Sequence, residues 1–248
     1  MSSDSAALHS LQPDAFEPRP EDVERYVEAL RELAGADPGL ARRQAWQQIR
    51  LAGGRAGSRP GEAHDTLNRM FRLGVPPTTP LDGFHDGILV TTITSKASDP
   101  LLRGLARAWM PWAGKSFDPR SQSGENILER AAKVPASLIW PGYKMWDAEE
   151  GRLGAFRFRT HTDPGRDDPD RQTLKIDYDS DENPRRLIRD ILDELVEVVP
   201  GAYLGKIMLR RRDRWQLIGY FGLQPPETVR VEERSAARIA VEPAPAPA

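Results

Sequence analysis

The spacing of apolar side chains changes period near residue 80. Over residues 21–33 they fall at Val23, Tyr26, Val27, Leu30 and Leu33, a single stripe on an α-helix. Gly35 and the turn Asp37-Pro38-Gly39 end that helix, and the pattern predicts two more, over 40–51 and 62–73. The glycine-rich stretch 53–61 between them predicts a flexible loop. Pro76, Pro77 and Pro80 stiffen the chain into an extended boundary, where the main domain is expected to start.

Past that boundary the period falls to two. Residues 87–94 are rich in β-branched side chains and predict a strand, and 115–118 a short one. In 155–160 Phe156 and Phe158 alternate with Arg157 and Arg159. In 172–178 Leu174, Ile176 and Tyr178 alternate with Lys175 and Asp177. Residues 203–210 and 215–223 read as a hairpin around Arg212-Asp213. Two segments interrupt the strands: a short helix over 99–108, and a longer one over 184–198 that Asn183-Pro184 would cap. The longer helix would bury Leu187, Ile188, Ile191, Leu192 and Leu195. The chain therefore reads as α+β: a small antiparallel lipocalin-like β-barrel over 80–224, with a helical extension over 20–79 and one inserted helix. The tails, 1–19 and 225–248, are Ser/Ala/Pro-rich or low-complexity and predict disorder.

Two glycine-punctuated segments frame that barrel. Gly83-x-His85-x-Gly87 has the spacing of a GxWxG signature, and Trp112-Ala-Gly114-Lys115-x-Phe117 follows it. The first resembles the signature of the bacterial GXWXG domain family, with His85 in place of the tryptophan. The second is similar to that family's downstream W-G-K-x-F stretch. Asp177-Tyr178-Asp179 to Asn183-Pro184, then Gly201 to Leu209, resembles the partner domain usually fused behind it. The resemblance spans roughly residues 80–224 and implies a compact barrel. It implies no activity.

Composition narrows the function classes. With 248 residues, 39% hydrophobic, and six Trp, the chain can bury a substantial core. A net charge of −2 provides no global field for nucleic acid, and the dense basic run Arg210-Arg211-Arg212-x-Arg214 sits at a hairpin tip. Without cysteine there is no disulfide, thiolate metal site or cysteine nucleophile. His9, His64, His85 and His161 lack metal-ligand spacing, so neither metal nor cofactor is expected. The N-terminus has no secretory pattern and no apolar stretch is long enough to span a bilayer. A cytoplasmic protein without membrane insertion is the expectation.

The candidate chemistry is sparse. His161 follows the 155–160 strand, where an imidazole suits a general base or a ligand-orienting donor; a strand-end histidine bonded to loop backbone is the alternative. Tyr178 and Tyr203 are the candidate proton donors beside it. His85, Trp112, Lys115, Phe117 and Lys206 are the candidate ligand-binding residues, two of them lysines next to glycine in strands. An inward lysine in a small barrel needs a carboxylate or an anionic ligand, whereas an outward one needs neither. Alternation favours a wet outer face for Arg157, Arg159 and Lys175. Trp109, Met110, Trp112, Trp140, Tyr143 and Trp146 make an aromatic-rich middle, a cavity wall or ordinary core. These features suggest a barrel that binds a hydrophobic or amphipathic small molecule, lipid-like or a secondary metabolite. The alternatives are a cofactor-free isomerase, cyclase or hydrolase using the same cavity, and a protein partner docked on the N-terminal helices.

Overall fold

The computed structural model describes residues 19–92, 111–185, 187–212 and 214–226. The helix expected over 99–108, with Trp109 and Met110, lies outside them, as does nearly all of both tails. Three helices open the fold: α1 (Val23–Ala36), α2 (Pro38–Arg55) and α3 (Pro60–Leu73). Asp37 caps α2 by accepting the Leu40 amide at 2.9 Å. That helix runs through Gly53 and Gly54 instead of loosening into a loop. A Cβ on Gly53 would stand 2.4 Å from the Val90 carbonyl oxygen, so glycine here permits close helix–strand contact.

Among the described residues nine strands follow: β1 (Gly83–Thr92), β2 (Trp112–Asp118), β3 (Ser123–Leu128), β4 (Trp146–Asp147), β5 (Leu153–Pro164), β6 (Gln172–Asp177), β7 (Ile191–Val199), β8 (Ala202–Arg211) and β9 (Arg214–Gln224). All pairings are antiparallel. β1 joins β9, and β3 joins β5, so eight strands close into an up-and-down barrel with β4 as a short edge piece. The α+β barrel expected from the sequence is therefore present. Among the described residues a further short helix, not expected from the sequence, is α4 (Lys133–Ile139), and Trp140 after it packs edge-on to Phe156.

The helix expected over 184–198 is absent. A short 3-10 turn at Ile188–Asp190 leads directly into β7, every residue of which is buried. The error is physical. A strand covered on both faces shows a continuous apolar run, and Leu187, Ile188, Ile191, Leu192 and Leu195 mimic a helical stripe within it. Asn183 does not cap a helix either. Its amide donates to the carbonyls of Arg157 and Tyr178, at 2.6 and 2.8 Å, and ties the turn before β7 to β5. β3 carried no sequence signal strong enough to be expected.

The two faces of the barrel wall have different cores. Inward-facing Phe117, Phe156, Phe158, Ile176, Leu195, Ile207 and Phe221 fill the interior. Outside, α1–α3 lay Val23, Val27, Ile49, Leu67, Met70 and Phe71 over Val90, Val196, Val198, Leu204 and Tyr220. Among the described residues, the exposed large hydrophobics are Val75, Val134, Leu138 and Ile139, and none lies on α1–α3. The apolar faces of these helices are spent on the barrel. No helix among the described residues is long and apolar enough to cross a membrane.

Gly205 shows how tightly the interior is filled. A Cβ there would meet the Phe221 ring at 2.1 Å, and Phe221 is buried edge-on to Trp112. Gly205→Val is expected to cost about 2 kcal/mol or more by overpacking. Thermal melting checks it; an unchanged midpoint would show that Phe221 yields freely.

Candidate functional site

Strand alternation sends neighbouring acids of β7 to opposite faces. Asp193 sits opposite Ile207 and Ile176 and points inward; Glu194 sits opposite Lys206 and Lys175 and points outward. On the inner face, His85, Lys115 and Asn126 stand in one row across β1, β2 and β3. Tyr178, just past β6, completes the group.

These side chains form a sealed polar centre. Lys115 Nζ lies 2.9 Å from Asp193 Oδ2 and 3.0 Å from Asn126 Oδ1, and also contacts the Tyr178 hydroxyl. As an ammonium it has three hydrogens for three acceptors. Tyr178 donates to Asp193 Oδ2 at 2.9 Å and accepts from Asn126 Nδ2 at 3.2 Å. Asn126 is fixed from both sides: Trp112 Nε1 donates to its Oδ1 at 3.1 Å, and its Nδ2 reaches the Phe156 carbonyl at 3.2 Å. Phe156 has a left-handed φ of 50°, a strained conformation that accompanies the break in β3–β5 register. The rings of Trp112, Phe158, Tyr178 and Phe221 surround the amine, with centroids 5.1–5.4 Å from Nζ.

One atom in this centre has no partner. Asp193 Oδ1 is buried and has no hydrogen-bond partner, and Asp193 lines a small space with Leu89, Trp112, Lys115, Asn126, Ile207 and Phe221. That space, about 10 Å³, has room for roughly one water. Burial pulls the Lys115 amine below its ordinary range, with the Asp193 charge opposing. Burial likewise pushes the Asp193 carboxyl up against the pull of Lys115, and it raises the Tyr178 phenol strongly. Burial thus works against the charged form of both partners, and their mutual attraction opposes it.

Trp112, Lys115 and Tyr178, taken from the sequence as candidates, thus meet at one centre. Asn126 and Asp193 belong to it and escaped notice: Asn126 lies on a strand without a clear pattern, and Asp193 lay in the expected helix. His85, Phe117 and Tyr203 gather beside it, His85 edge-on to both rings at 5.5 and 5.8 Å. The Tyr203 hydroxyl bonds the Glu197 side chain, and burial raises its pKa. His161 is elsewhere. It is exposed within β5, which runs on to Pro164, and it lines a mouth pocket of about 270 Å³ with Phe117, Ser123 and Leu81. The three expected catalytic side chains, His161, Tyr178 and Tyr203, therefore occupy three different surroundings.

Lys206 takes no part in the interior. Tyr203, Gly205 and Ile207 of β8 point inward, so Lys206 points outward, where Phe71 covers it and Asp168 Oδ2 lies 2.6 Å away. Burial pushes the Asp168 carboxyl up; Lys206 and Arg72 outweigh it and hold the group below its ordinary range. Lys175 is outward as expected but not wet. It is sealed with Glu194, which also accepts the Arg166 amide at 2.7 Å from the loop folded over it. Arg157 and Arg159 are exposed. No group of acids and histidines among the described residues is arranged to hold a metal.

No protein-family model and no curated protein sequence matches the chain. Among solved structures it is similar to a protein from Thermomonospora curvata, 16% identical over 71% of this chain and 99% of that one, with a TM-score of 0.40.

His85 supplies a pH test. Burial lowers its pKa below the ordinary 6.5, and the Gly83 carbonyl, 3.2 Å from Nδ1, only partly opposes this. The unfolded chain then binds a proton that the folded chain refuses, so stability is lost as pH falls from 6.5 through the lowered value. His85→Phe is expected to flatten that part of the stability–pH curve. Parallel wild-type and variant curves from urea titrations between pH 7 and 5 would refute the assignment.

Proposed function

We propose that the barrel binds an amphipathic small molecule, lipid-like or a secondary metabolite, with its polar group at the Lys115–Asp193 centre. The observation that carries this is the unpartnered Asp193 Oδ1, on a residue that lines a small interior space. A buried carboxylate oxygen without a donor is costly, and a ligand hydroxyl or amine relieves that cost. Leu89, Ile207, Phe221 and Trp112 offer the apolar wall beside it.

Native mass spectrometry of protein purified from its own host tests the reading. The expected result is a small molecule that stays with the folded chain and is released on denaturation. Asp193→Asn should weaken its retention roughly ten-fold, the scale of one hydrogen bond to a charged group. Wild-type protein that stays free of ligand, even after exposure to host lipid extract, would sink the proposal. A cofactor-free enzyme with His161 as base is the second reading. The mouth pocket at His161 favours it, and loss of turnover in His161→Ala at unchanged stability is its signature.

A further inference from the structure

Strand register brings two exposed features to one rim of the barrel. The end of β3 lies level with the starts of β2 and β5, since Leu128 pairs with Trp112 and with Leu153. The chain from β3 to β5, which carries α4, therefore crosses that rim. The β8–β9 turn belongs to the same rim: β1 ends toward the start of β9, and β7 starts beside the end of β8. Around the closed order β3-β2-β1-β9-β8-β7-β6-β5, the turn stands across the opening from the β3–β5 junction. On one side α4 holds Val134, Leu138 and Ile139, three of the four exposed large hydrophobics among the described residues. Val134 and Leu138, one helical turn apart on one face, are 69% and 79% exposed. On the other side Arg211, Arg212 and Arg214 are exposed beside the half-buried Trp215.

The acids of this rim are mostly engaged. Arg189 holds Asp179 and Asp181, and Arg210 holds Asp190. Arg130 holds Asp147, Arg152 holds Glu129 and Glu150, and Arg157 holds Glu182. Lys133, Lys144, Arg185, Arg212 and Arg214 are exposed and have no ion-pair partner among the described residues. They outnumber Glu149 and Asp177, the acids of the rim in the same position. A surplus of cations around an exposed apolar turn matches a surface that is anionic outside and apolar just beneath. Three side chains on a seven-residue helix are too few for a stable protein interface, which takes about 800 Å² from each partner. A bilayer accepts a few apolar side chains wherever charge holds the protein close. Nucleic acid would use the arginines and leave the apolar turn idle. We infer that this rim docks on an anionic lipid surface. Val134, Leu138 and Ile139 enter the acyl boundary, and Arg212 and Arg214 across the opening, with Lys133 and Lys144, meet headgroup phosphates. Trp215 suits the headgroup level between. The protein lies on the surface and does not cross it. The inference stands apart from the ligand reading, because it uses exposed side chains alone.

Vesicle co-sedimentation of the full-length chain reads this directly. The expected result is binding to phosphatidylcholine vesicles carrying about 30% phosphatidylglycerol, about ten-fold or more tighter than to phosphatidylcholine alone, and lost near ~0.5 M NaCl. Two double substitutions address the two sides of the rim: Val134→Ser with Leu138→Ser, and Arg212→Glu with Arg214→Glu. All four side chains are exposed, so both variants should keep the wild-type thermal midpoint. Each should weaken binding to the anionic vesicles about ten-fold or more. Failure of the wild type to sediment with those vesicles, or equal binding to neutral ones, overturns the inference. So does a single-stranded oligonucleotide bound as tightly as the vesicles and unaffected by the Val134/Leu138 change, which would assign the arginines to nucleic acid. A dimer in sedimentation velocity that the Val134/Leu138 change splits would give α4 to a second copy of the chain and overturn it too. None of these outcomes touches the host-ligand experiment, so the two readings stand or fall separately.

Discussion

Asp193→Ala is expected to destabilise the protein by about 3–5 kcal/mol, the scale for breaking a buried ion pair from one side. The cause is what remains. Lys115 keeps contacts to Tyr178 and Asn126 but loses its carboxylate partner, inside a cage of four rings. The Tyr178 hydroxyl loses its acceptor in the same substitution. Lys115 then folds only as a neutral amine, and shedding its proton costs more as pH falls further below the ordinary lysine value of 10.5. The variant should therefore be weaker in acid than near pH 9. Replacing both partners by apolar residues, Lys115→Met with Asp193→Leu, removes the stranded charge and should recover much of the loss. Urea unfolding of the two variants beside the wild type measures it. A loss below about 1 kcal/mol for Asp193→Ala would mean that water enters the barrel freely, and the centre would then be wet rather than sealed.

That centre was half legible in the sequence. Lys115 beside Gly114 raised the question of a carboxylate partner, and alternation along 172–178 put Tyr178 on the face of Ile176. The answer lay in β7, where ILDELVEVV carries acids at positions a helix would expose. A strand buried on both faces erases period-two alternation, so period alone misassigned it. Once β7 is placed, the adjacent acids explain themselves, one lysine partner on each side of the wall. Other parts were readable because their physics is local. α1–α3 follow from apolar stripes, the β8–β9 hairpin from two runs meeting at Arg212, and β1 from its β-branched residues. Closure of the barrel is not local: it depends on β3 meeting β5, and β3 has a bulge and two glycine or polar positions where a strand pattern would need apolar ones.

Removing residues 1–79 is expected to leave a barrel that no longer unfolds cooperatively as a soluble monomer. The proline boundary at 76–80 suggested a self-contained domain behind it, but the cores cross that boundary. Val90, Val196, Val198, Leu204 and Tyr220 are buried by side chains from α1–α3. Uncovering an apolar side chain costs about 1.5–3 kcal/mol, so losing cover over these five exceeds ~5 kcal/mol, much of a typical domain's stability. The outer polar row suffers too. Without α3, Asp168 loses Arg72, and Lys206 loses the Phe71 ring over its amine at 4.5 Å. Val75, Thr78 and Glu197 form a further tie: Glu197 exchanges backbone hydrogen bonds with Val75, and its carboxylate accepts the Thr78 amide and hydroxyl at 3.2 and 3.0 Å. A fragment of residues 80–226 should bind a hydrophobic dye and sediment as aggregates, and adding back a peptide of residues 19–79 should rescue part of its solubility. A monomeric fragment with a thermal midpoint within about 5 °C of the full chain, a difference of only about 1–2 kcal/mol, would show that the helices merely decorate a self-sufficient barrel. Their buried face would then be the place to look for an exchangeable partner.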